Sequence, residues 1–107
     1  MDRHARSNLL EMIQGELAGY RALVQDRTGP TWCGVALAHV MRMKTQARAH
    51  GDVELVAAVD ELYDIPLTLE EFECVPRYAQ RPPGPPKVAQ ASERIARRIG
   101  ELRRDRQ

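Results

Sequence analysis

The chain has 107 residues, the length of one domain, and its 43% hydrophobic content can build a modest core without disulfides or metals. Aromatic residues are limited to Trp32, Phe72, Tyr20, Tyr63 and Tyr78, so that core must come mainly from Leu, Ile, Val, Met and Ala, as in packed helices. Sixteen Lys/Arg and fifteen Asp/Glu leave a net charge of +1 but are sorted into blocks: residues 1–48 carry seven basic and four acidic side chains, residues 49–76 eight acidic and no basic, residues 77–107 nine basic and three acidic.

Such segregation puts opposite fields on different parts of the surface and bears on association, not on fold. No stretch approaches the roughly 20 apolar residues needed to cross a bilayer, and MDRHARSN lacks the apolar run of a secretory signal. A cytoplasmic protein is expected. Cys33 and Cys74 are too few and too far apart for a disulfide scaffold, and both are expected to stay reduced.

The first helix is expected over about Leu9 to Asp26. Asn8, followed by Glu11, has the form of a capping box, in which each side chain satisfies an otherwise orphaned backbone N–H. Leu10, Ile13, Leu17, Tyr20 and Val24 recur at spacings of three and four, the seam of a heptad, while Leu9, Met12 and Leu23 widen the apolar arc. A helix with so wide an arc needs more than one neighbour.

RTGPT ends that helix, because Gly29 permits a terminating conformation and Pro30 cannot continue the hydrogen-bond ladder. A second helix follows, roughly Trp32 to His50. Trp32, Val35, Ala36, His39, Met43 and Ala47 share one side, but Cys33, Leu37, Val40 and Met41 spread apolar surface most of the way round. Such a helix is either central to the bundle or completes its burial in an oligomer.

Gly51 and Asp52 stop the second helix and cap a third, from about Val53 to Asp64. Leu55, Val56, Val59, Leu62 and Tyr63 form its apolar arc, and Glu54, Asp60, Glu61 and Asp64 fall opposite them as one wet acidic face. Ile65-Pro66 breaks this helix. Thr68 with Glu71 repeats the capping-box pattern, so a short helix is expected over Leu69 to Cys74, with Glu70, Glu71 and Glu73 favoured by its dipole. RPPGPPK, residues 81–87, reads as a stiff extended connector. Beyond it Val88, Ser92, Ile95, Ile99 and Leu102 mark the apolar stripe of a terminal helix whose remaining surface holds Arg94, Arg97, Arg98 and Arg104.

Four constellations are candidates for chemistry. Cys33, His39, His50 and Cys74 are donors of the right type for zinc, but their spacings match no compact ligand pair. His39 lies on an apolar helix face and reads as a hydrogen-bonded core histidine. The acidic residues of the third helix could supply paired carboxylates or hold Mg²⁺, yet they fall on a solvent face without the pocket that such roles require. Cys33 sits at a helix start, where a thiol pKa can be depressed, but it points into a crowded apolar arc. No GxSxG, P-loop, GxGxxG or HExxH pattern is present.

The arginine-rich terminal helix is the fourth candidate. Guanidinium groups reward contact with phosphates whatever the sequence, so Arg94, Arg97, Arg98 and Arg104 are candidate nucleic-acid contacts. Against this, the helix has a clean apolar stripe, its Glu residues pair with its own Arg, and it offers no aromatic residue to stack on bases.

The sequence therefore predicts an all-α protein: a helical bundle over residues 1–80, a connector over 81–87 and an amphipathic basic helix over 88–107. A non-enzymatic interaction or assembly subunit, oligomeric and without cofactor or metal, is the expected function. Its contact residues would be Trp32, Val35, Ile95, Ile99 and Leu102, with Asp60 and Glu61 supplying charge. A nucleic-acid-binding module is the alternative.

Overall fold

The computed structural model describes residues 2–26, 32–65 and 86–104, in which four helices and no strand occur. They are α1 (Arg3–Asp26), α2 (Trp32–His50), α3 (Val53–Asp64) and α4 (Pro86–Arg104). The all-α bundle is thus the observed fold. The short helix expected over Leu69–Cys74, and residues 81–85 of the Pro-rich connector, lie outside the described residues.

Two helix starts differ from expectation. α1 opens at Arg3, five residues before the capping box at Asn8, because Asp2 is the effective cap: its Oδ1 accepts the Ala5 N–H at 2.8 Å. Nothing between residues 3 and 8 breaks a helix once it is capped there, so Ser7 and Asn8 sit on its surface. α4 opens at Pro86, not at Val88. Proline is well placed in a first helical turn, where its fixed φ suits the helix and its missing N–H has no partner to lose. The end of the connector is therefore helix.

The turn between α2 and α3 follows the sequence closely. Gly51, at φ +91°, takes the left-handed conformation that side chains resist, and its N–H bonds back to the Ala47 carbonyl at 2.9 Å. Asp52 then caps α3, with Oδ2 accepting the Leu55 N–H at 2.9 Å.

The helices form a ring in which α1 packs on α2 and α4, and α3 packs on the same two, while the diagonal pairs stay apart. The body measures 47 × 21 × 19 Å, only two helices thick in either short direction, so every helix keeps a solvent face. One core fills the centre. Leu10, Ile13, Leu17, Tyr20 and Val24 come from α1, and Trp32, Ala36, Val40, Met43 and Ala47 from α2. α3 adds Leu55, Ala58, Val59 and Leu62, and α4 adds Val88, Ala91, Ile95 and Ile99. The terminal helix is thus not carried beside a finished bundle: its stripe is one wall of the same core.

Candidate interaction surface

The basic helix docks along the acidic one. Arg98 grips Asp52 with two hydrogen bonds, Nε to Oδ2 at 2.9 Å and a terminal nitrogen to Oδ1 at 2.8 Å, and reaches Glu101 at 3.1 Å. Glu54 lies 3.4 Å away. One turn earlier in α4, Arg94 donates to Glu61. Asp52 thus serves twice, as cap of α3 and as anchor for α4. The Arg98 hydrogen bonds hold its carboxyl below the usual carboxylate range, and the same pairing raises the Arg98 pKa.

The acidic residues do not form the single wet face expected of α3. Glu54 and Glu61 turn toward α4, but Asp60 is half-buried and faces Lys44 of α2 at 3.9 Å, longer than a hydrogen bond. α3 lies between two neighbours, so its flanks are occupied on both sides and the carboxylates are shared between them. Lys44 also lies over the Tyr63 ring, 3.8 Å from its centroid.

A second polar cluster clasps α1 to α2. His39 Nδ1 donates to Glu16 Oε1 at 2.8 Å, and Arg42 Nε donates to Glu16 Oε2 at 2.5 Å. Burial pushes the Glu16 carboxyl up, but the hydrogen bonds from Arg42 and His39 outweigh it and leave the group below its ordinary range. Gly19 makes this clasp possible. A Cβ there would stand 2.6 Å from His39 Cε1, so the imidazole rests where a side chain of α1 would otherwise be. The sequence identified His39 as a hydrogen-bonded histidine but not its partners, since Glu16, Gly19 and Arg42 meet it only when the two helices pair.

The residues expected to make contacts fall into two groups. Trp32, Ile95 and Ile99 are buried in the chain's own core, and Leu102 is half-buried against it. Val35 stands 45% exposed, and with it Leu37, Met41 and, on α1, Met12. Of the arginines, Arg94 and Arg98 are engaged on α3. Arg97 and Arg104 are exposed and make no ion pair among the described residues. No group of His, Cys, Asp or Glu among the described residues could hold a metal ion, and none of the described helices is long and apolar enough to cross a membrane.

Between the end of α1 and the start of α4 lies a cleft of about 230 Å³ lined by Val24, Gln25, Val88, Ala89 and Ser92, with Arg21 and Glu93 facing each other 3.5 Å apart at its rim. The Ser92 and Tyr20 hydroxyls are buried and find no hydrogen-bond partner among the described residues. Burial pushes the Tyr20 pKa up to about 12, so this hydroxyl stays protonated.

Comparison with protein-family models, curated proteins and solved structures finds no match for this chain. The functional reading accordingly rests on the geometry of the surface.

Proposed function

We propose that the protein is a small non-enzymatic assembly subunit that binds other protein chains through the outward side of its α1–α2 hairpin. The observation that carries this reading is α2. The sequence offered two fates for a helix apolar nearly all round, a central position or completion by another chain, and α2 is not central. Among the described helices it packs on α1 and α3 and not on α4, and Val35, Leu37 and Met41 stand at 45%, 40% and 52% exposure. Among the described residues these side chains are left outside the core, and apolar groups left on a helix surface, Leu37 and Met41 adjoining one another there, support a protein contact.

The nucleic-acid alternative draws less support. Two of the four arginines it needs are spent on Asp52 and Glu61, which leaves Arg97 and Arg104 as outward cations on α4. Two phosphate contacts give a weak interaction at best, with a salt dependence far shallower than that of proteins making about six to ten such contacts.

Co-purification from the native host tests the choice. A tagged chain should retain its protein partners after nuclease treatment, and a chain carrying Val35→Asp, Leu37→Asp and Met41→Asp should lose them. A complex destroyed by nuclease, and abolished by Arg97→Gln with Arg104→Gln, would overturn the proposal in favour of phosphate binding.

A further inference from the structure

We infer that the cleft between the end of α1 and the start of α4 binds a small neutral molecule with an apolar body and one hydroxyl, of the alcohol or phenol class. The inference stands apart from the interaction reading above. Burial divides the lining into a floor and a rim. Val24, Val88 and Ser92, at 2%, 4% and 1% exposure, form the floor, while Arg21, Gln25, Ala89 and Glu93 are exposed and form the rim. The cleft holds about 230 Å³. An apolar protein cavity of about 150 Å³ accepts benzene, so this space suits a molecule of roughly seven to nine non-hydrogen atoms.

Ser92 selects the ligand. It stands in the stripe Val88, Ser92, Ile95, Ile99, whose other members are branched aliphatic side chains given to the core, and this one polar member falls at the cleft. A serine inside a helix commonly turns its hydroxyl to solvent or to the carbonyl one turn back. The Ser92 hydroxyl does neither: it is buried and has no hydrogen-bond partner among the described residues. Burying a hydroxyl in that state is costly, and a hydroxyl on a bound molecule, donor and acceptor at once, can meet it in either sense. The surroundings disfavour an ion. The two rim charges, Arg21 and Glu93, face each other at 3.5 Å and offset one another, and the floor holds no charged side chain to pair with a bound one. The negative end of α1 and the positive end of α4 also meet here and cancel.

The test titrates phenol and toluene, which have the same size and shape but carry a hydroxyl and a methyl respectively, into the purified full-length chain and follows backbone amide shifts by NMR. Both should give saturable shifts centred on Val24, Gln25, Val88, Ala89 and Ser92, with phenol dissociating on the order of 1 mM. Ser92→Ala, a substitution that helices accept, should reduce the preference for phenol over toluene by about 2- to 12-fold, the range of one net hydrogen bond. Ala89→Trp, at the exposed rim, should abolish the shifts by filling the entrance, with helicity by circular dichroism unchanged. Three results would each overturn the inference: no saturable shift at the cleft up to about 10 mM phenol, a phenol preference that Ser92→Ala leaves intact, or phenol binding that survives in the folded Ala89→Trp chain.

Discussion

The two hairpins of this bundle are held together in different ways. α1 and α2 are long helices joined by a short connection, and they meet along an apolar seam, with a polar clasp of Glu16, His39 and Arg42 at its edge. α3 and α4 are separated by 21 residues of sequence, and they meet along a narrower apolar stripe lined by ion pairs, Asp52 with Arg98 and Glu61 with Arg94. Helices close in sequence need little to find each other, since loop closure costs little over a few residues. Distant ones gain from charge that specifies register, while the apolar stripe supplies most of the free energy.

The most severe way to break this arrangement is to place a charge in the α4 stripe. Ile99 is fully buried, and Ile99→Asp should cost at least about 4 kcal/mol, the scale of an unpaired charge in a core. Circular dichroism would separate two outcomes. Loss of α4 helicity alone would show that the α1–α2 hairpin stands by itself, whereas a collapse of all helicity would show one cooperative unit.

Gly19 probes the clasp of the first hairpin through a change of sign. With His39 in place, Gly19→Ala should destabilise by about 1–2 kcal/mol, because the ring must leave the position the new Cβ takes. In a His39→Ala background the same substitution should stabilise by about 0.8–1 kcal/mol, the helix-propensity gain of alanine over glycine. Denaturant unfolding of the four proteins of this cycle measures both. Equal effects in the two backgrounds would mean that the ring and Gly19 are not in contact.

Asp52 probes the second hairpin. Asp52→Ala should cost about 2 kcal/mol at neutral pH, combining a lost cap with a lost anchor for Arg98. The sign with pH follows from its carboxyl, which is held below its ordinary value in the folded chain. Its stabilisation is complete above the unfolded pKa of about 3.9 and is lost as pH falls through the lower folded value. The gap between wild type and variant should therefore narrow below about pH 4. A gap unchanged from pH 7 to pH 3 would assign the effect to the cap and not to the charge.

The smallest effect is expected at Glu61. Both members of the Glu61–Arg94 pair are about half exposed, so Glu61→Gln should change stability by less than about 1 kcal/mol, and less again at high salt. A larger loss would mean that charge contributes more to α3–α4 docking than the apolar stripe does.

Much of this molecule was legible in the sequence because its signals are local. The five-residue seam of α1, the span of α2 and the Gly51-Asp52 turn depend on periodicity and on the conformational habits of single residues. The start of α1 was misplaced because two capping signals compete there, and the earlier one, at Asp2, suffices. The candidate surface was less legible. Val35 was identified as a contact residue and does face solvent, but Trp32, Ile95 and Ile99 are enclosed by the chain's own core. An apolar stripe states that it will be buried and not by whom.

The order of apolar and charged residues by itself determined that the chain would be helical, where most helices would lie, and that its basic and acidic segments would attract. Only the tertiary structure decided that α4 closes its own bundle, that Asp60 turns to Lys44 while Glu61 turns to Arg94, and that the side of α2 left bare is the one bearing Leu37 and Met41. The reason is geometric. Helix periodicity fixes which residues share a face, but which face meets which neighbour depends on how four cylinders fill one core, and that is set by contacts far apart in sequence.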